Sequence, residues 1–250
     1  MKQFVLYLFA LGTTFFVFLE VFLRLTHIAP EFPERMLDSE YGVYKFKPNQ
    51  SGIFSDGRLG EWKSKWIINN EGWNSELTYK DDQQITGIIG DSYIQTIYFD
   101  PKNHVYNLFK NQVPSREYYA FGIQGASFSQ YLNILKYASE KYQMDSVFIF
   151  LDNNDIEESI FNMVRMPRNM QLKIKDDIVT EVPAKYHEKI YRNLLKEMAV
   201  FRYFLMNFSF RLDFGAAKEN KKKEISDGEV IEKMKRQAVK YIVNKINSCK

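Results

Sequence analysis

The apolar, β-branched run Ile85-Thr86-Gly87-Ile88-Ile89 stops abruptly at Gly90-Asp91-Ser92, and this constrains the fold more than any other stretch of the chain. A continuous apolar run without polar alternation is the pattern of a strand buried on both faces, as strands of parallel sheets are. In open α/β sheets, ligands and reacting groups gather just beyond the carboxyl ends of the strands. A serine there, with a helix to follow, has its hydroxyl at that crevice. Its own N–H sits at a helix N-terminus, where an oxyanion can be held. Gly-Asp-Ser is also ordinary turn composition, so the reading depends on whether other segments repeat the arrangement.

Two segments do. The apolar run Tyr118 to Phe121 continues into Gly122-Ile123-Gln124-Gly125-Ala126-Ser127. That reads as a second strand, a glycine-bearing turn and a helix over Ser129 to Tyr142. Ser146-Val147-Phe148-Ile149-Phe150-Leu151 reads as a third, fully buried strand that ends at Asp152-Asn153-Asn154-Asp155. Strands are therefore expected over residues 85–90, 117–122 and 145–151, each stopping at a turn that carries a candidate active-site group.

With these three blocks in order, the chain resembles the SGNH or GDSL hydrolase family over roughly residues 65–160. Gly90-Asp91-Ser92 matches the family's first block and Gly122-Ile123-Gln124-Gly125 its second. Asn153-Asn154-Asp155 matches its third, a Gly-x-Asn-Asp block, with Asp152 or Asn153 where glycine is usual. The resemblance implies Ser92 as nucleophile, and an oxyanion hole made of the Ser92 N–H, the Gly125 N–H and the Asn154 side-chain amide. It also implies a three-layer α/β/α sandwich around a parallel, flavodoxin-like sheet, with the strand of residues 85–90 between the other two. Asn69-Asn70-Glu71-Gly72-Trp73 is similar to a loop before the nucleophile strand in membrane-anchored members; as bare composition it is a turn.

The family's fourth element, an Asp-x-x-His block supplying the base and its orienting carboxylate, has no match. The chain has three histidines, His27, His104 and His187, and none has an aspartate three residues before it. His27 flanks the apolar N-terminus, His104 lies near the start of the helix after Ser92, and His187 falls in a later amphipathic stretch; surface or helix-end roles suit them. A doubly wound domain needs about five strands, and fewer are legible before residue 151. The expectation is a hydrolase domain incomplete at its C-terminus. A natural protein that lacks the base is the alternative.

Residues Phe4 to Leu25 are predominantly apolar and, as a helix, long enough to reach across roughly 30 Å of hydrocarbon. Glu20 and Arg24 interrupt its far end at i, i+4 spacing, so they can pair on one face. A buried or interfacial helix is the competing reading. A cleaved signal peptide fits less well, because the small-x-small site Ala10-Leu11-Gly12 would cut the apolar run in half. The positive-inside count does not decide orientation, with Lys2 before the segment and Arg24 and Arg35 after it. An anchor with so short a leading tail, together with the resemblance, favours a globular domain outside the cytoplasmic membrane, in the periplasm or at the cell surface.

The expected organisation is an anchor over 1–28, a linker and small β-rich appendage over 29–80, and the SGNH-type domain over 81–250. Pro30 and Pro33 among charges in Ala29 to Arg35 suggest a linker. Short alternating runs between Tyr41 and Ile68, broken by Pro48, Gly52, Gly57 and Gly60, suggest strands. Gln171 to Lys175 and Ile178 to Val182 flank Asp176-Asp177 as a two-residue hairpin. His187 to Leu212 is helical by period and rich in aromatics, which are core residues unless they form a lid over an acyl or glycan pocket. Ala217 to Gly228 reads as a solvated loop and Glu229 to Ile246 as an amphipathic helix.

Net charge is +3, from 34 basic and 31 acidic residues, and no basic-aromatic stripe suggests nucleic acid. The single cysteine, Cys249, permits neither an internal disulfide nor a cysteine-based metal site. No cofactor or metal is expected, and nothing sets the oligomeric state. A serine hydroxyl needs an adjacent base to attack; Asp91 is better suited to stabilising its turn, and Asp155 to organising its loop by bonding backbone N–H groups. The functional expectation is a membrane-anchored serine ester hydrolase or O-acyltransferase. It would act on acylated cell-envelope glycans or lipids through an acyl-serine. The alternative is a non-catalytic carbohydrate-binding or assembly protein with a degenerate site.

Overall fold

A computed structural model describes residues 1–186, 195–208 and 228–248 of the chain. The run that ends in Gly90-Asp91-Ser92 forms β5 (Gln84–Gly90), the central strand of a three-stranded parallel sheet with order β6-β5-β7. The flanking strands are β6 (Glu117–Gly122) and β7 (Gln143–Ile149), and α2 (Ser92–Gln95), α3 (Val105–Gln112) and α4 (Phe128–Lys141) connect them. Gly90 pairs with Gly122 and Ile89 with Ile149, so all three strands end level.

Side chains alternate along each strand, so the sheet residues divide between two buried clusters. Ile85, Ile89, Tyr119 and Phe121 join the core under α4, while Ile88, Tyr118 and Ala120 pack with Tyr106 and Phe109 of α3. Each fully buried isoleucine contributes about 1.5–3 kcal/mol. Tyr79 closes the outer edge of β6: its hydroxyl donates to the Ala120 carbonyl at 2.9 Å and accepts the Ala120 N–H at 2.8 Å. Its ring stacks on Tyr119, centroids 3.8 Å apart.

The opposite edge differs from the sequence expectation. β7 begins and ends two residues earlier than 145–151 and is not fully buried; Phe148 is 46% exposed. A purely apolar run cannot distinguish a central strand from an edge strand, and among the described residues β7 has a strand partner on one side only. The Phe148 ring finds partial cover by stacking on Phe109 at 5.3 Å. A bulge at Asp145 shifts the β5 pairing from Met144 to Ser146, and the Asp145 carboxylate accepts from Thr86 Oγ1 at 3.2 Å.

The preceding segment is joined to this core rather than hung from it. Hairpins β1 (Arg35–Asp38)/β2 (Val43–Phe46) and β3 (Gln50–Asp56)/β4 (Trp62–Ile68) are both antiparallel. Val43, Tyr44 and Trp73 lie in the same buried cluster as α4. The stretch read as a linker is clipped to β3 and β4: the Glu31 N–H donates to the Ile53 carbonyl at 2.9 Å, and Trp66 Nε1 donates to the Glu31 carbonyl at 3.0 Å. Asn69-Asn70-Glu71-Gly72-Trp73 is a tight turn held by the Asn69 carboxamide oxygen, which accepts the N–H groups of Glu71 and Trp73, both at 3.0 Å.

After β7 come α5 (Asp155–Glu158) and the hairpin β8 (Gln171–Lys175)/β9 (Ile178–Val182). Its turn residues Asp176 and Asp177 have φ of 49° and 63°, the two left-handed positions of a type I′ turn, which aspartate tolerates. Asp177 then accepts from Lys233 and Gln237, both at 2.7 Å, on the amphipathic helix α7 (Gly228–Ser248). That helix, labelled after α6 (Ala199–Asn207), buries Ala238 and Ile242. His187, Cys249 and most of the loop from Ala217 lie outside the described residues, as do parts of the aromatic stretch flanking α6.

Helix α1 (Lys2–Thr26) is long and apolar enough to cross a membrane: its most apolar 18-residue window has mean hydropathy 2.1 and none of it is buried. Glu20 and Arg24 pair at 2.7 Å, as their spacing predicts.

Candidate functional site

The level ends of the three strands bring the loops carrying Ser92, Gly125 and Asn154 to one edge of the sheet. Ser92 opens the single turn of α2 and is half-buried. Asp91 is the N-cap: its carboxylate accepts the Tyr93 N–H at 2.9 Å, which replaces a bond the first helical turn cannot make for itself. The Ser92 hydroxyl reaches the other Asp91 oxygen in a long, weak contact of 3.4 Å.

Gly122 has a steric reason. A Cβ on it would run into the backbone of Ile94 and Gln95, so only glycine lets α2 settle against the end of β6. Gly125 holds φ of 73°, a left-handed conformation that glycine adopts without penalty. Its carbonyl accepts the Asn169 side-chain amide at 2.6 Å, tying the loop to the chain after α5.

Asn154 stands exposed at the N-cap position of α5 without a side-chain capping bond, and its amide donates to Glu158 at 2.9 Å. Asp155 turns inward. One of its oxygens accepts the Tyr131 hydroxyl and the Asp152 N–H, both at 2.9 Å, while its Oδ1 is buried with no partner among the described residues. Burial pushes the Asp155 carboxyl up to about 6, and the nearby Asp91 and Glu158 charges add to that push against its two hydrogen bonds. Glu158 is also raised, by burial first, with Asp91 among the charges that contribute. Asp91 therefore lies within electrostatic reach of the Asp155 loop, and this edge is rich in carboxylates.

Neither described histidine stands at this edge. His27 ends α1 and lies 3.6 Å from Glu31. His104 precedes α3 as its N-cap, the helix-end position expected for it, but it is 1% exposed rather than at the surface. Its Nε2 bonds the Phe99 carbonyl at 2.9 Å, and burial lowers its pKa, so it stays neutral as a packing residue. Among the described residues no group of three or more His, Cys, Asp or Glu is arranged to hold a metal ion.

Two residues at this edge carry no signature in the sequence pattern. Gln95, three positions after Ser92, is 2% exposed; its Oε1 accepts the Gln124 N–H at 2.6 Å and its Nε2 is buried without a partner. Glu158 holds the Asn154 amide. The i, i+3 and i, i+4 spacings within a short helix were the available signals. Compared with known proteins, the chain matches no protein-family model, no curated protein and no solved structure.

Proposed function

We propose that this protein is a membrane-anchored serine ester hydrolase or O-acyltransferase of SGNH type, acting on acylated envelope glycans or lipids. In this reading Ser92 attacks the acyl carbonyl, and the Ser92 N–H, the Gly125 N–H and the Asn154 amide hold the oxyanion. Water or a sugar hydroxyl then takes the acyl group. Asp91, Gly122 and Asp155 support the loops. The sheet would be part of the family's three-layer sandwich, and the domain would lie on the extracytoplasmic side.

The supporting observation is the position of Gly90-Asp91-Ser92 at the carboxyl end of the central strand of a parallel sheet, level with the ends of β6 and β7. That is where such sheets place reacting groups. For the Asn154 amide to serve the oxyanion it must leave Glu158, whose side chain accepts it here.

The second reading, a glycan-binding protein without catalysis, is favoured by one observation: neither His27 nor His104 stands near Ser92. Chemical rescue separates the two. Imidazole added to the detergent-solubilised chain should act as the missing base and give Ser92-dependent hydrolysis of an aryl acetate. Without a triad base, only the residual contribution of binding and oxyanion stabilisation remains. Imidazole-dependent turnover that is lost in Ser92→Ala supports the enzyme. Equal turnover in wild type and Ser92→Ala removes it and leaves the binding reading.

A further inference from the structure

Helix α6 is apolar on more than one side, and among the described residues one side packs against the exit of α1. Ala199 and Val200 pack with Leu23 of α1 and Ala29, and Leu19, Ile28 and Tyr203 close around them. Two of its leading N–H groups, those of Ala199 and Val200, donate to the Glu20 carboxylate, both at 2.9 Å. The Arg202 guanidinium donates to the Pro30 carbonyl at 2.7 Å, which fixes the helix against the exit of α1. The remaining surface presents Phe204, Met206 and Phe208, which are 39%, 42% and 49% exposed. The rings of Phe204 and Phe208 contact each other at 5.3 Å, and each also meets the edge of Tyr203, at 5.8 and 6.3 Å.

The β3–β4 tip comes to the same place. The Tyr203 hydroxyl donates to the Arg58 carbonyl at 3.0 Å, and Lys63 Nζ donates to the Thr26 carbonyl at 2.7 Å. Between them Leu59 is 73% exposed. Two segments far apart in sequence therefore expose large apolar side chains around the last turns of a helix whose most apolar 18-residue window is unburied. Glu20 lies at the same level. A bare carboxylate there would be costly in hydrocarbon, but α6 and Arg24 fill its acceptors.

We propose that α6 and the Leu59 tip form a collar that dips into the headgroup–acyl boundary of a bilayer around α1 and seats the globular domain flush on the membrane. The continuity of this patch with the apolar surface of α1 identifies lipid as the occupant. Aromatic and aliphatic side chains beside a polar helix terminus are the composition of interfacial segments. The assignment is independent of any chemistry at Ser92.

Spin labels test it in the full chain, carrying Cys249→Ser and reconstituted in phosphatidylcholine vesicles. Labels at Phe204→Cys, Phe208→Cys and Leu59→Cys should be several-fold less accessible to a water-soluble nickel chelate than a label at Ile178→Cys on the β8–β9 turn. Their accessibility to oxygen should be higher. Nickel accessibility equal to that at Ile178 overturns the proposal. So does protection from both reagents that persists in detergent with a dimer-sized particle, because a second copy would then be the occupant. Phe204→Ser combined with Phe208→Ser should keep the detergent melting temperature and bring the Leu59 label out into water. A label that stays at depth in that variant refutes the collar.

Discussion

Two carboxylates in this protein are held by partners from the chain, and their surroundings are opposite. Glu20, beside the exit of α1, faces a helix N-terminus and an arginine: both oxygens accept N–H groups of α6, and Arg24 pairs with it. Asp155, at the carboxyl edge of the parallel sheet, accepts two hydrogen bonds on one oxygen, leaves the other buried and bare, and faces Asp91 and Glu158. The first is satisfied only as an anion and fastens two distant parts of the chain. The second is held in place by hydrogen bonds while its charge is opposed. Strain of this electrostatic kind gathers where chemistry is done more often than where chains are merely joined. The opposed charge lies at the sheet edge and the satisfied one at the seam between α1 and α6.

The largest effect that can break this contrast comes from removing Asp155 altogether. Asp155→Ala leaves the Tyr131 hydroxyl and the Asp152 N–H without their acceptor and should cost about 2–4 kcal/mol in a urea titration in detergent. Asp155→Asn keeps an acceptor and drops the opposed charge, so it should cost less than about 1 kcal/mol. Equal damage from both would mean that Asp155 is needed as an anion, like Glu20.

At Glu20 the order should differ. Glu20→Ala removes the cap from two N–H groups of α6 and should cost about 1–2 kcal/mol, seen first as faster amide exchange at Ala199 and Val200. Glu20→Gln, which has one oxygen and no charge, should lie close to the alanine variant. If it behaves like wild type, the seam does not depend on charge.

The smallest effect is the pH dependence of Asp155. Its folded pKa, about 6, lies above the ordinary aspartate value of about 3.9. The folded protein therefore holds more protons than the unfolded chain between those values. This group's contribution to stability falls as pH rises from about 4 to about 6 and is flat above. Moving from pH 7 to pH 5 should stabilise wild type relative to Asp155→Asn by about 1 kcal/mol, less than the full displacement because water reaches the neighbouring Asn153 and Asn154. A difference between the two proteins that does not change with pH would remove the claim that the Asp155 charge is opposed.

What could be read from the residues alone was local. The β-branched run before Gly90, the glycines at positions 122 and 125, the turn at Asp176-Asp177 and the 3.6-residue period of α4 and α7 state their conformations over a few neighbours. Those elements stand where the pattern puts them. The three turns that follow β5, β6 and β7 were legible for the same reason. The resemblance puts residues 85–90 between the other two strands, where β5 lies; what the pattern could not state was that β7 stands at the edge and is half-exposed. Nor could it state that His104 is buried against Phe99, or that Glu20 answers to Val200, 180 positions away. A residue's propensity and period are set by its neighbours in the chain. Burial, a carboxylate's partner and the charge it must face are set by groups brought together only when the chain closes on itself, and those the tertiary structure alone decided.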